Sequence, residues 1–545
     1  MIADVKTTIL KKRNWYFVLI LAVLIGYAWI NRFIQDDAFI SFRYAANWIH
    51  GNGLVWNPGD RVEGYTNFLW TLLIGIGMKF GIEPVTCSCL LGLLCFGITL
   101  ILMFRLSTVI FHSHRMGLIS VFLLGTNYTF SSYATSGMET QLQTCLFVAS
   151  AYLVIRSIAK KSLDHSRLFA LSLLLGMAVL TRLDSALCCL ILFVSVFYLI
   201  LKENSSLAKK TAQGAVLLFP FFILVGGWFI WKWFYYGNLL PNTYYAKVAS
   251  VASLKKGGYY IYLFFLSYGL FPFLLFVPVF FKKIRDYRNA GLIILASILF
   301  LWLIYVIRVG GDFMEFRFMV PVLPFIILLL IWLIRNCVKQ REVQWIFLLW
   351  IFLGSFHHQF RFGRYVETGG IESIKLLERH LMDEDESWVQ IGKVLGKAFN
   401  SNPDVKIATT ACGAIPYYSN LRTLDMLGLN DPWIARHGRI VNVKTGHQKM
   451  TTFSNLIENK VHLVIGHPFM KSIQDTTKAV WFGMLYKDIE DKKLIPESTQ
   501  FLEIPINDRY KLVVYYLTQN PIVDRAIREN HWIVYPVFHE QKPSS

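Results

Sequence analysis

Apolar runs long enough to cross a bilayer alternate with basic clusters along the first two thirds of this 545-residue chain, and that alternation constrains its fold more than any other feature. The clusters are Lys11, Lys12 and Arg13; Arg105 and Arg115; Lys160, Lys161 and Arg167; Lys209 and Lys210; Lys282, Lys283, Arg285 and Arg288; and Arg335, Lys339 and Arg341. A span needs roughly 20 apolar residues, and ends rich in Lys and Arg stay cytoplasmic. The runs near 15–33, 85–104, 117–133, 139–155, 169–182, 185–201, 212–234, 258–281, 290–307, 319–335 and 343–356 therefore read as eleven spans, with the N-terminus inside and the tail outside. The first run lacks a small-residue cleavage site and reads as a retained signal anchor. The run 67–80 is apolar but short. Counting it as a span would turn every later basic cluster outward, so it reads as an interfacial or re-entrant helix on the outer face.

With 55% hydrophobic and 16% charged residues, the chain is too apolar for a soluble enzyme. A formal net charge of +19 would point to nucleic acid in a soluble protein. Here basic loops facing anionic headgroups hold much of it, so the expected partner is membrane lipid and not nucleic acid. Of eight cysteines only Cys412 falls in the tail, which excludes a disulfide framework there, and no metal-type spacing occurs. From about His357 the composition turns polar. An acidic, helix-like stretch from Glu372 to Phe399 and the β-rich runs VKIATT, VHLVIGH and KLVVYYLT predict an α/β domain of roughly 190 residues. The expected organisation is a polytopic α-helical membrane domain at 1–356, with a first outer loop at 34–84, followed by an extracytoplasmic α/β domain at 357–545. Neither short repeats nor inverted halves are visible.

This topology gathers the polar motifs on the outer face, where no nucleotide substrate is normally available. Asp36 and Asp37 follow the first run directly and precede an amphipathic stretch, AFISFRYAANWIHG. One aspartate there caps a helix well. Two at the bilayer boundary repel each other and lift one pKa, as a general base for a hydroxyl requires, so capping and catalysis both stand open. The rest of the loop, GNGLVWNPGDRVEGYTNFLW, sets Trp56, Tyr65 and Trp70 among turn residues with Arg61 and Glu63. Such rings stack on sugars or form an interfacial belt. Arg182 with Asp184, and Asp312, Glu315 and Arg317 in GGDFMEFRF, are ionisable groups at depths where they line polar cavities or neutralise one another. Arg182, Arg317 and Lys247 are the candidates for holding a phosphate diester, Arg by two parallel hydrogen bonds and Lys as a point charge. Asn242, Tyr244 and Tyr245 of PNTYYAK add polar groups and rings, and Glu139 of GMET is either a partner for the cations or a span cap. In the tail, CGAIPYYSNLRTLDMLGLND reads as strand, glycine turn, short helix and second turn. Structural turns are its default, and a sugar-contacting edge of Tyr417, Tyr418, Asp425 and Asp431 is the functional alternative. His357 and His358 read as an interfacial polar pair before a metal half-site. No metal is assigned, because no ligand set is complete; a divalent cation near the carboxylates stays open.

Together these residues carry a family resemblance. DDAFISFRYAANWIHGNGLVWNPGDRVEGYTNFLW resembles the opening of the GT-C membrane glycosyltransferases, and among them the terminal β-1,2-arabinofuranosyltransferases of mycobacterial cell-wall assembly. GMET, TRLD, PNTYYAK, GGDFMEFR and the GAIPYYS...LDMLGLND run are similar to later blocks of that group, to about Asp431. The resemblance implies a catalytic carboxylate in the first loop, Asp36 or Asp37 or both, and a polyprenyl-phosphate sugar as donor. The function it implies is inverting transfer of an arabinofuranose-like or other pentose or hexose to a cell-envelope glycan or glycolipid, on the outer face of the cytoplasmic membrane. A composition rich in Lys, Asn, Ile and Phe departs from the Ala- and Arg-rich mycobacterial style, so the sugar is not assigned. Rival expectations are a transporter or flippase for lipid-linked sugars and a non-catalytic scaffold for envelope assembly.

Overall fold

The computed structural model describes residues 2–247, 251–283, 290–357, 362, 367–478 and 495–537. Helix α1 (Ile2–Ile30) runs through a short extended link into α2 (Asp36–Ile49), and the aromatic loop leads on to α3 (Phe68–Lys79). Among the described residues six further helices are long and apolar enough to cross a membrane: Pro84–Phe111, Thr140–Lys160, Leu183–Lys202, Leu207–Tyr236, Ala290–Val309 and Arg317–Cys337. The chain is a multi-pass membrane protein. The expected straight span at 258–281 is instead a bent pair, Ser253–Ser267 and Phe271–Lys283, meeting at 103°. Gly269 leaves the helix at φ +63°, and Pro272 opens the next one, where its missing N–H breaks no hydrogen bond. The run at 117–133 is also divided, since the Asn127 side chain accepts from the Phe130 N–H (3.0 Å) and starts a separate turn of helix. Among the described residues length and apolarity thus give six helices able to cross, or seven with the bent pair, beside the shorter apolar helices Trp15–Ile30, Phe68–Lys79, His114–Gly125 and His165–Thr181. Helix α3 has 12 residues, about 18 Å, short of the roughly 30 Å hydrocarbon layer.

Burial within the bundle is uneven, and the unevenness follows the motifs. In Arg317–Cys337 89% of the apolar window is enclosed by protein, against 17% in Leu207–Tyr236. Thr140–Lys160 is the second most enclosed crossing. The two innermost helices therefore begin at the GMET and GGDFMEFRF motifs, so their first residues sit at the bundle centre.

The tail contains a six-stranded mixed sheet. Its strands are β1 (Lys406–Thr409), β2 (Arg422–Asp425), β3 (Leu463–Ser472), β4 (Gln500–Pro505), β5 (Tyr510–Tyr516) and β6 (Ile533–Pro536), in the order β6-β4-β5-β3-β1-β2. β1 pairs in parallel with β2 and β3, and the remaining pairs are antiparallel. Alternation puts Ile407, Leu463 and Ile465 on one face against Ile391, Leu395 and Val523, and Ala408 and Val464 on the other against Phe453 and Leu456. Both faces are covered, as parallel strands require. The α/β expectation holds. The acidic stretch forms two helices, Ile374–Met382 and Trp388–Ala398.

The tail is sewn to the membrane part through polar groups. Buried Arg43 of α2 stacks on Trp56 (4.8 Å) and donates to the carbonyls of Trp56 (2.9 Å), Leu421 (2.8 Å) and Pro416 and to Asn57 Oδ1 (3.1 Å). Elsewhere Glu315 accepts from the Ile374 N–H (2.9 Å) and pairs with His357 (2.7 Å).

Candidate active site

The first turn of α2 decides between the two aspartates. Its cap is Gln35, whose side chain accepts from the Asp36 N–H (2.5 Å), so Asp36 and Asp37 both lie inside the helix and neither caps it. Their charges still suit the positive end of the helix dipole. Asp36 is spoken for: Oδ1 accepts from the Ala414 N–H (2.7 Å) and Oδ2 from the Gly413 N–H (3.0 Å). This close approach requires glycine at 413, because a Cβ there would collide with the Asp36 backbone oxygen and carboxyl group. Burial pushes the Asp36 carboxyl up to about 7 and Asp37 adds to the rise, against the two N–H donors and a pull from His380.

Asp37 points elsewhere. Among the described residues no hydrogen bond holds its carboxylate; its surroundings are the charges of Arg317, Lys247, Asp312 and Glu139. Burial lifts its pKa above the usual carboxylate range, outweighing the two cations. Lys247 belongs to the same neighbourhood: burial and then Arg317 lower its pKa, while Asp312 and Asp37 raise it. By surface area Asp37 is half-buried and Lys247 exposed, yet both are desolvated. The two facts agree if the groups line a recess open to solvent and walled by protein.

Around this recess the charges are partly neutralised. Arg317 Nε donates to Asp312 Oδ2 (2.5 Å) and Nη1 contacts Met138 Sδ (3.4 Å). Arg182 is committed on three of its donors, Nη1 to Glu139 (2.7 Å) and Nε and Nη2 to Asp184 Oδ2 (3.0 and 2.7 Å). Glu139 also accepts from Asn67 Nδ2 (2.7 Å), and Asp184 from Gln143 Nε2 (2.7 Å) and the Tyr305 hydroxyl (3.1 Å). The Phe318 ring lies against both guanidinium groups, 5.5 Å from Arg182 and 5.2 Å from Arg317. A cavity of about 180 Å³ opens beside Asp312, walled by Lys256, Tyr260, Gly310, Gly370 and Thr445. The arrangement offers an open base, a lysine with no acceptor among the described residues, and an arginine held in position on one edge. Among the described residues no group of three His, Cys, Asp or Glu side chains is placed to hold a metal ion.

Several residues expected at the substrate are engaged by partners within the framework. Glu63 is buried in an ion pair with Lys232 (2.6 Å), and Tyr65 is buried with its hydroxyl 3.1 Å from that of Tyr236. Trp56 and Trp70 are likewise buried, so the loop's large rings form core and neither a sugar platform nor an interfacial belt. Asn242 spends its amide on the carbonyls of Gly428, Leu429 and Asp431 (2.9, 3.2 and 3.1 Å). Glu315 is closed by His357 and Ile374, and His358 lies outside the described residues. Asp425 holds its own turn through Leu427 N (2.9 Å), Asn430 N (2.8 Å) and Asn430 Nδ2 (2.9 Å), and Asp431 caps Pro432–His437. Tyr417 and Tyr418 pack on Phe39 of α2 (5.5 and 5.4 Å). Arg61 lies over Tyr235 (5.1 Å), Tyr245 carries Arg436 (4.4 Å), and Tyr244 stands exposed beside Tyr245. Buried charge pairs are legible only once both partners are placed. Lys232, a lone cation near the end of the apolar helix Leu207–Tyr236, is the sequence signal for a buried partner such as Glu63; Asn67 and Phe318 carry none.

Comparison with known proteins bears out the resemblance. A family profile for dolichyl-phosphate-mannose-protein mannosyltransferases matches residues 68–231, beyond the two aspartates, and a domain of unknown function, DUF8728, matches 376–535. A terminal β-(1→2)-arabinofuranosyltransferase of Mycobacterium tuberculosis is 30% identical over 285 residues, 49% of this chain and 43% of that one. The protein of the same description from Corynebacterium glutamicum is 26% identical over 415 residues, 66% of this chain and 56% of that one. The chain thus spans about half the length of the curated relatives it matches. The crystal structure of ArnT from Cupriavidus metallidurans bound to undecaprenyl phosphate superposes with a TM-score of 0.52 at 14% identity, covering 93% of this chain and 99% of that one. The chain has the GT-C fold.

Proposed function

We propose that the chain transfers a sugar from a polyprenyl-phosphate donor to a hydroxyl of a cell-envelope glycan or glycolipid, with Asp37 as the base. The observation that carries this reading is the Asp37 carboxylate, free of protein hydrogen bonds among the described residues and set in one field with Lys247 and Arg317. Asp37 takes the proton of the acceptor hydroxyl, the hydroxyl oxygen bonds to the anomeric carbon, and the bond from that carbon to the phosphate oxygen breaks on the opposite face. The anomeric configuration inverts. The donor is a singly charged phosphodiester and the departing lipid phosphate carries one charge more. Lys247 and the open edge of Arg317 face that added charge, and electrostatic aid of this kind is among the larger contributions to catalysis. Arg182, Glu139, Asp184 and Asp312 act as the counter-charges that keep the recess formed. The relatives are named for arabinofuranosyl transfer, which supports sugar transfer, and the ArnT structure of like fold holds undecaprenyl phosphate, which supports a lipid-phosphate donor. The basic clusters support an outer placement of the recess and tail, on the cytoplasmic membrane.

The test is transfer by purified protein in detergent from a polyprenyl-phosphate arabinofuranose to an oligosaccharide acceptor. A transporter needs a sealed membrane and a scaffold has no turnover, so product formation separates all three readings. Asp37→Asn should lower turnover at least about a hundredfold with the melting temperature unchanged. Near-normal transfer by Asp37→Asn would take that residue out of the chemistry.

A further inference from the structure

A second concavity, a groove of about 370 Å³, follows the seam between the first outer loop and the tail and includes none of Asp37, Lys247, Arg317 or Asp312. Its volume falls within the range of ordinary ligand clefts. Asp60 contributes one wall, and Lys406, Arg422, Asp431, Trp433 and Asn459 the other. Trp433 is 46% exposed, large and apolar, and its ring is backed by His437 at 5.5 Å. Both cations are already occupied. Arg422 Nη2 donates to the two Asp60 carboxylate oxygens (2.9 and 2.8 Å), and Lys406 Nζ donates to the Asn459 backbone oxygen (2.9 Å) and Oδ1 (3.4 Å).

Charge excludes the obvious anionic occupants. Three carboxylates, Asp60, Asp425 and Asp431, face two cations in the groove, whereas a phosphate group needs cations in excess. A flat exposed ring beside fixed donors and acceptors of both kinds instead matches a neutral polyhydroxyl chain, apolar on one sugar face and hydrogen-bonding at its edge. The groove also communicates with the recess. Pro432–His437 rests on the short helix Asn242–Ala246 through Arg436 over Tyr245 (4.4 Å) and Asn242 Nδ2 to the Asp431 carbonyl (3.1 Å), and Lys247 is the next residue.

We propose that this groove is a binding subsite for a neutral oligosaccharide, with a sugar ring stacked on Trp433 and hydroxyls on the Asp60–Arg422 pair and Asp431. Its role as the remote part of an acceptor site rests on the transferase reading; the binding itself does not. Full-length protein in detergent is titrated by calorimetry with a linear hexa-arabinofuranoside and with maltohexaose, both neutral. At least one should bind the wild type. Trp433→Ala should weaken that binding roughly tenfold and Trp433→Phe should retain most of it. In transfer assays Trp433→Ala should raise the KM of a hexasaccharide acceptor by the same factor and leave that of a disaccharide unchanged. Binding of neither oligosaccharide overturns the proposal, as does displacement of the bound sugar by inorganic phosphate. Binding that both Trp433→Ala and Arg422→Gln leave intact overturns it too, by locating the sugar elsewhere. If no polyprenyl-phosphate donor supports transfer but Trp433-dependent binding persists, the transferase reading falls and the subsite stands.

Discussion

The recess around Asp37 and the polar framework that ties the first loop and the tail to the membrane helices hold the same kinds of residue, acids, bases and amides, and use them in opposite ways. In that framework the buried polar groups are closed by others: Glu63 by Lys232, Glu315 by His357 and Ile374, Asp425 by its own turn, and Asn242 by three carbonyls. In the recess Asp37 and Lys247 are left with field and no hydrogen-bonded partner among the described residues, although counter-charges surround them. A folded protein keeps such groups unpaired only at a cost in desolvation. Satisfaction thus differs between the two: the framework groups close on one another, whereas no hydrogen bond among the described residues holds the half-buried Asp37 or the exposed Lys247.

The comparison is broken or sharpened by substitutions on its two sides. The largest effect should be on catalysis, where Asp37→Asn loses a hundredfold or more of turnover; a protein that instead unfolds would move Asp37 to the structural side. In the framework Glu63→Gln leaves Lys232 buried without its counter-charge and should cost roughly 3–5 kcal/mol of stability, read as a lower melting temperature or lost expression. An unchanged melting temperature would show the pair to be dispensable. Arg317→Lys should weaken donor binding about tenfold, since a lysine cannot reproduce the open edge of a guanidinium already tied to Asp312; a donor titration identical to wild type would assign the phosphate to other groups. The last effect concerns Asp36 and pH. Its folded carboxyl titrates at about 7 and an unfolded aspartate near 4. Between those values the folded chain holds a proton that the unfolded chain has lost, so the contribution is complete below the lower value and stability falls as pH rises through the window. Asp36→Asn should flatten that slope, and an unaltered pH profile of thermal unfolding would place the titration elsewhere. For Asp37 the same upward direction predicts that turnover rises with pH through a midpoint above the usual carboxylate range.

Much of this was legible without coordinates. Apolar runs between basic clusters marked the membrane class, the turn to polar composition near His357 marked the sheet-bearing tail, and adjacent aspartates at the end of an apolar run marked the place where the proposed base stands. Each is a one-dimensional signal, since hydropathy and charge act on a segment wherever its neighbours lie. Spans proved less legible, because whether a run bends depends on a single glycine and proline, as at Gly269 and Pro272, and its average apolarity does not report them.

The sequence by itself determined which residues would lie near a boundary of the bilayer, because transfer free energies are sums over local side chains. Only the tertiary structure decided which of them remained available. Asp36 and Asp37 are neighbours of identical chemistry, and Gly413 and Ala414, more than 370 positions away, bring two N–H donors to one and leave the other open. Hydrogen-bond satisfaction is a property of pairs, and pairing across such distances exists only once the chain has folded.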